Sequence, residues 1–132
     1  MPSRPRTRPF FARWYGVLTR RAERGELGTR RQALVAQAAG RVLDLGAGTG
    51  ESFKHLPAAV SEVVALDPDP AMLRQARRRL PEANVPVRLV RGVGEALPFA
   101  DEAFDTALAA LVLCTVEDPE ATAAELYRVL RP

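Results

Sequence analysis

The run Val42-Leu43-Asp44-Leu45-Gly46-Ala47-Gly48-Thr49-Gly50 constrains the fold of this chain more than any other feature. A short apolar segment running into closely spaced glycines reads as a buried strand that ends in a turn. Glycine permits positive φ and lets the backbone approach a ligand closely. In open α/β sheets such turns lie outside the carboxyl ends of the strands, where ligands bind. The run therefore predicts a parallel sheet with a ligand loop at one end.

Spacing and charge narrow the ligand. Dinucleotide loops follow G-x-G-x-x-G, whose last glycine allows close helix packing. Here the pattern is G-x-G-x-G, and Glu51 stands where that last glycine would be. A carboxylate there opposes the pyrophosphate that a helix N-terminus would otherwise receive. Asp44 adds a second negative charge before the loop. No G-K-[ST] follows, so a Walker loop is excluded. The pattern suits a cationic nucleoside carrying an ammonium and a sulfonium. The alternative is a strand–helix turn whose glycines serve geometry alone. Asp67 follows Gly46 by 21 residues, at the end of the second expected strand. An acid there can accept hydrogen bonds from two ribose hydroxyls. Asp69 is the better candidate for helix capping, which leaves Asp67 free for a ligand.

The rest of the chain alternates strand and helix. Arg41–Leu45, Glu62–Leu66, Val87–Arg91 and Phe104–Leu111 read as strands. Thr49–Leu56 reads as a short helix stopped by Pro57. A second helix starts near Pro70 and runs to about Leu80, and a third is capped by Asp118 with Pro119 in its first turn. Short loops between alternating elements imply a parallel sheet with helices on both faces. Before the sheet, Phe10–Arg21 carries Phe10, Phe11, Trp14 and Tyr15 at helical spacing, and Thr29–Ala39 resumes a helical pattern that Gly40 ends. The expected division is a helical cap or lid over residues 1–40 and a binding domain over 41–132.

Composition removes several function classes. The single cysteine, Cys114, and single histidine, His55, argue against a disulfide or a metal site. No apolar run has the length of a membrane span. The expected location is the cytoplasm, and the arginine- and alanine-rich composition suggests a GC-rich bacterium. Residues 1–31 hold nine arginines against Glu23 and Glu26, and the remainder is slightly acidic. Such an arm can touch anionic lipid or nucleic acid, or simply form a solvated helical face.

Four segments in order, VLDLGAGTG, VVALDPDPAMLRQAR, GVGEALPFADEAFDTALAALVLCTV and ELYRVLRP, resemble the class I S-adenosylmethionine-dependent methyltransferases. The resemblance is to the type 11 branch that includes ubiquinone and menaquinone biosynthesis enzymes. It covers about Arg41 to Pro132 and implies a Rossmann-like α/β fold. S-adenosylmethionine would be the cofactor and S-adenosylhomocysteine the product. By the same resemblance, Gly46, Ala47, Gly48 and Gly50 would pass under the methionine portion, and Asp44 would support the loop and the ammonium. Asp67 would hold the ribose, with Pro68 and Met72 beside the adenine. Val93, Gly94 and Glu95 would border the other adenine face. Ala109 and Ala110 would offer backbone groups near the methionine. Tyr15 belongs to the aromatic helix, which fits either a lid over the cofactor or plain core packing.

Two departures from the family matter. Relatives read G-D-A-E-A-L-P-F where this chain reads Gly92-Val93-Gly94-Glu95-Ala96-Leu97-Pro98-Phe99. The aspartate that takes the adenine amino group is thus Val93, which predicts weakened adenine selectivity. The family sheet has seven strands, and this sequence stops after the helix that follows the fourth. That suggests truncation and a fourth-strand edge open to self-association. The expected function is methyl transfer to a small-molecule or lipid acceptor, without nucleic-acid signatures. The alternative is a truncated module that binds the cofactor with little or no turnover. No general base is evident: His55 reads as a surface residue, Cys114 as a small buried one, and Glu117 and Asp118 as turn and cap residues.

Overall fold

β1 (Gly40–Leu45) lies at the inside of a four-stranded parallel sheet, flanked by β2 (Val60–Asp67) and β4 (Thr106–Leu108). β3 (Val87–Arg91) pairs with β2 on the outside, giving the order β3-β2-β1-β4. The computed structural model describes residues 32–109 and 116–132. Among them are two longer helices, α1 (Pro70–Arg79) and α2 (Pro119–Val129), and short 3-10 turns at Phe53–His55 and Leu80–Glu82. None is long and apolar enough to cross a membrane.

Alternation along the strands divides the core into two layers, because successive side chains point to opposite faces. Val42, Val63 and Ala65 face a layer with Val35, Ala38, Phe53 and Ala76. Leu43, Leu45, Val64 and Leu66 face a second layer with Leu97, Phe104 and Val129. Both faces are covered, which is why Val42 and Leu43 on β1 and Val63 to Leu66 on β2 form unbroken apolar runs. Asp44 and Asp67 share the parity of the first layer, so both carboxylates end on one face.

Helix starts follow local chemistry. Asp69 caps α1, its carboxylate accepting from the Ala71 amide at 2.8 Å, with Pro70 as the first helical residue. Asp118 caps α2 in the same way, accepting from Ala121 at 3.0 Å. Each such cap is worth about 1 kcal/mol.

Several expected boundaries move. Thr49–Leu56 is not a helix but a chain of turns ending in the 3-10 turn Phe53–His55. β2 is longer than expected at both ends. Before the sheet only residues 32–35 are helical among those described, and Gly40 opens β1 with φ +69° instead of capping a helix. β4 is shorter than Phe104–Leu111. Phe104 makes only an isolated bridge to Leu130, and residues 110 and 111 lie outside the described residues. At the start of the strand the reason is Asp105. Its amide donates to Arg41 O, while its carboxylate accepts from the Arg41 amide at 2.8 Å, so a side chain replaces one rung of the ladder.

Candidate functional site

The strand order reverses between β1 and β4, and crevices at such switch points are where open α/β sheets bind ligands. The loop after β1 opens there. Gly46, Gly48 and Gly50 all have positive φ, at 68°, 57° and 81°. A side chain at these positions would be strained, so the three glycines follow from the backbone path.

The loop is stitched to the end of β2. The Gly46 and Ala47 amides donate to Leu66 O at 2.8 and 3.1 Å, and the Gly48 amide donates to the Asp67 carboxylate at 3.0 Å. The Gly50 amide turns back to Ala47 O at 3.0 Å. Four amides that a phosphate-binding loop would aim at its ligand are therefore committed to protein acceptors. This is a firmer reason against a pyrophosphate than the charge of Glu51.

Glu51 needs a correction of physical role. It is buried, accepts from the Thr49 hydroxyl at 3.1 Å, and pairs with Arg79 at 2.9 Å. Its charge is compensated by α1 and fastens the loop. The negative character of the site rests instead on Asp44 and Asp67. Asp44 is 5% exposed and accepts from the Ser52 hydroxyl at 2.9 Å.

Asp67 is the node of the site and is less free than its sequence position implies. One carboxylate oxygen accepts from Gly48, the other from the Asp69 amide at 2.9 Å, and its carbonyl accepts from the Gly92 amide at 3.3 Å. It thus joins the ends of β1, β2 and β3. It is 7% exposed, and burial pushes its carboxyl above the ordinary aspartate range against the opposing pull of those two amides. A carboxylate offers about four lone-pair positions. Two are used, and each oxygen retains acceptor capacity for a hydroxyl. Among the described residues no basic side chain pairs with it. A buried anion without a cation, beside a glycine loop with spent amides, fits a neutral diol and a positively charged ligand.

The opposite wall is the segment after β3. Val93 and Ala96 close a tight bridge, and α2 holds the segment along its length. Glu95 accepts from the Asp118 amide at 3.2 Å. Gly94 packs so closely on the buried Thr122 that an added Cβ would meet its methyl at 2.9 Å. Glu125 accepts from the Leu97 amide at 2.8 Å, and Arg128 donates to Leu97 O and Phe99 O at 3.1 and 2.8 Å. Arg128 also binds both oxygens of Glu125, at 2.9 Å each, and Asp101 at 2.8 Å. The guanidinium holds the Glu125 carboxyl below its usual range, and the two carboxylates raise the Arg128 pKa.

The expected site residues fall as follows. Asp44, the glycine loop and Asp67 come together at the carboxyl ends of β1 and β2. Pro68 follows Asp67 directly, and Met72 is buried in the first turns of α1. Val93 is half-buried, and Glu95 is engaged by the α2 cap. Ala109 directly follows β4. His55 is half-buried in the 3-10 turn. Tyr15, Ala110 and Cys114 lie outside the described residues. Sequence reasoning missed Ser52, Arg79, Thr122, Glu125 and Arg128. The last two were visible only as the segment ELYRVLRP, whose partners are about 30 residues upstream.

Residues 43–132 match the family model described as a methyltransferase domain. The chain is 40% identical over 110 residues to a demethylmenaquinone methyltransferase of Renibacterium salmoninarum, covering 79% of this chain and 45% of that protein. It is 39% identical over 124 residues to a demethylmenaquinone methyltransferase of Thermus thermophilus, covering 89% and 56%. Among solved structures, a SAM-dependent methyltransferase of Thermotoga maritima superposes with a TM-score of 0.72 at 31% identity, covering 92% of this chain and 55% of that one. The chain spans about half the length of the curated relatives it matches. With the glycine loop, the Asp67 node and the parallel sheet inside the matched region, the chain belongs to the methyltransferase domain family.

Proposed function

We propose that this chain binds S-adenosylmethionine as part of a methyltransferase whose acceptor is a lipid-like quinone. The observation that carries the reading is Asp67, a buried carboxylate with spare acceptor capacity, tied to the loop through Gly48. Asp67 would accept from the ribose hydroxyls. Gly46, Ala47, Gly48 and Gly50 would line the methionine portion, and Asp44 would offset the ammonium. Pro68 and Met72 would flank one adenine face and Val93, Gly94 and Glu95 the other. Ala109 would lie toward the methionine end, and Tyr15 would belong to a lid from the cap formed by residues 1–40.

The cofactor, when bound, supplies a methyl already activated on a sulfonium. The chain's own residues then contribute orientation and a preorganised negative site. They hold the ribose and ammonium so that the methyl direction is fixed. The names of the relatives support a quinone acceptor. A cytoplasmic location goes with this reading. So does self-association through β4, whose outer edge pairs with no further strand among the described residues. The second reading is a cofactor-binding module with little turnover, since the site residues gathered among the described ones all serve the cofactor and none is assigned to an acceptor.

The test is methyl release from labelled S-adenosylmethionine with a panel of demethylated quinones and small phenols. Transfer to a quinone supports the proposal. Cofactor binding without transfer to any acceptor selects the module. Transfer to a water-soluble amine alone overturns the quinone reading.

A further inference from the structure

Charge is polarised across the sheet. The segment 70–91, which makes α1 and the outer strand β3, holds six arginines against Glu82, a net charge of +5. The segment 95–132, which makes β4 and α2 at the other end, holds eight carboxylates against Arg128 and Arg131, a net charge of −6. β3 and β4 are the opposite edges of the sheet, and α1 and α2 pack on its opposite faces, through Ala76 and Val129 respectively.

On the positive flank the charge is presented outward. Met72 and Ala76, four residues apart, bury one side of α1. Arg74, Arg77 and Arg78 fall on the opposite side at helical spacing, and all three are exposed. Arg88 and Arg91 are exposed on the edge strand. Among the described residues none of these five has an ion-pair partner, whereas Arg79 is taken by Glu51 and Glu82. Arginines at the last turn of a helix complement its dipole, but that accounts for Arg77 and Arg78 and not for Arg74, Arg88 and Arg91. The stretch 1–31, directly before the described residues, adds nine arginines against two glutamates.

We propose that the α1–β3 flank docks on an anionic lipid bilayer, with the α2 flank held away by like charge. Residues 70–91 contain no Phe, Tyr or Trp, so this surface lacks the stacking platform that single-stranded nucleic acid uses. Exposed arginines along a helix and an edge strand, without aromatic side chains among them, suit phosphate headgroups, where each contributes additively near the surface. The inference deepens the lipid-acceptor reading of the same protein and rests on it for its purpose: a quinone dissolved in a bilayer must be met at the surface. The charge pattern itself stands on the residues above.

The experiment is flotation of the full chain with vesicles of phosphatidylcholine alone and with phosphatidylglycerol added. The chain should float only with the anionic vesicles, and less with rising salt. The triple variant R74Q/R77Q/R78Q should partition about 100-fold more weakly. Arg131→Gln, on the acidic flank, should partition as the parent does. Equal loss from Arg131→Gln, or no loss from the triple variant, would overturn a dedicated surface. So would failure to float combined with arginine-dependent binding to a single-stranded oligoribonucleotide, or with head-to-tail association of copies in light scattering. Titration of each variant with S-adenosylhomocysteine in vesicle-free buffer separates the two readings. Unchanged affinity in the triple variant isolates the surface, and vesicle binding by a chain that takes no S-adenosylhomocysteine sinks the cofactor reading alone.

Discussion

The two walls of the site are held by different means. The glycine loop is held by its own backbone, by the adjacent β2 and by one buried pair, Glu51–Arg79. The segment after β3 is held by α2 side chains that follow it by 28 to 31 residues, and by its own Glu95, which accepts from the Asp118 amide. The first wall is rigid by local construction. The second is positioned by a separate element, and Arg128 serves as its clasp. A sequence difference in α2 can therefore move the expected adenine wall without touching the ligand.

The largest effect should come from the first wall. Glu51→Gln leaves the mostly buried Arg79 with only the more distant Glu82 carboxylate at 3.8 Å, and breaking such a buried pair costs about 3 kcal/mol. Urea unfolding measures this, and the double variant E51Q/R79M should recover part of the loss. A loss below about 1 kcal/mol would mean that the pair does not fasten the loop. On the second wall, Gly94→Ala should cost about 1–3 kcal/mol, because its Cβ meets Thr122, which is fully buried and cannot yield. Thr122→Ala should rescue it. Full cost without rescue would point to backbone strain and not to this contact.

The next change is local. Arg128→Lys replaces a planar fork by a point charge that cannot span two carbonyls and two carboxylates. Amide exchange at Leu97 should accelerate while exchange at Gly48 stays as it was. Equal acceleration at both would merge the two walls into one unit. The smallest effect should be Val93→Asp. It should raise discrimination between S-adenosylhomocysteine and its inosine analogue several-fold, by returning an acceptor for the adenine amino group. No change would show that this position does not read the base.

What the sequence made legible follows the same division. β3 is read residue for residue, and both helix starts are read from an aspartate followed by proline, because capping is a local signal. The glycine loop and the two aspartates come together as expected, since strand ends and turns are set within a few residues. Glu51 was misread because its partner lies on another element 28 residues later. Asp67 was read as free because its bonds to Gly48 and Asp69 are made by folding, not by spacing. The reading of β4 starts too early because the Asp105 carboxylate replaces a rung beside Arg41, a substitution that the alternation of residue types does not show. The Arg128 clasp left no periodic trace at all. Two of its acceptors are carbonyl oxygens, which every residue carries, and Asp101 lies 27 residues upstream.

The central claim is that Asp67 makes the glycine loop a site for a cationic nucleoside. Its folded carboxyl titrates above the ordinary range, so the ionised form costs stability that the fold regains as pH falls through that raised value. Ligand hydroxyls reward the ionised form, so affinity should run the other way and weaken as pH falls. The direct measurement is calorimetric titration of S-adenosylhomocysteine into the parent chain and Asp67→Asn across this acid range. The account predicts one-to-one binding by the parent that declines toward low pH. It predicts about 10–100-fold weaker binding by the variant, with that pH dependence gone. Binding that is equal in the two proteins and flat with pH would contradict it.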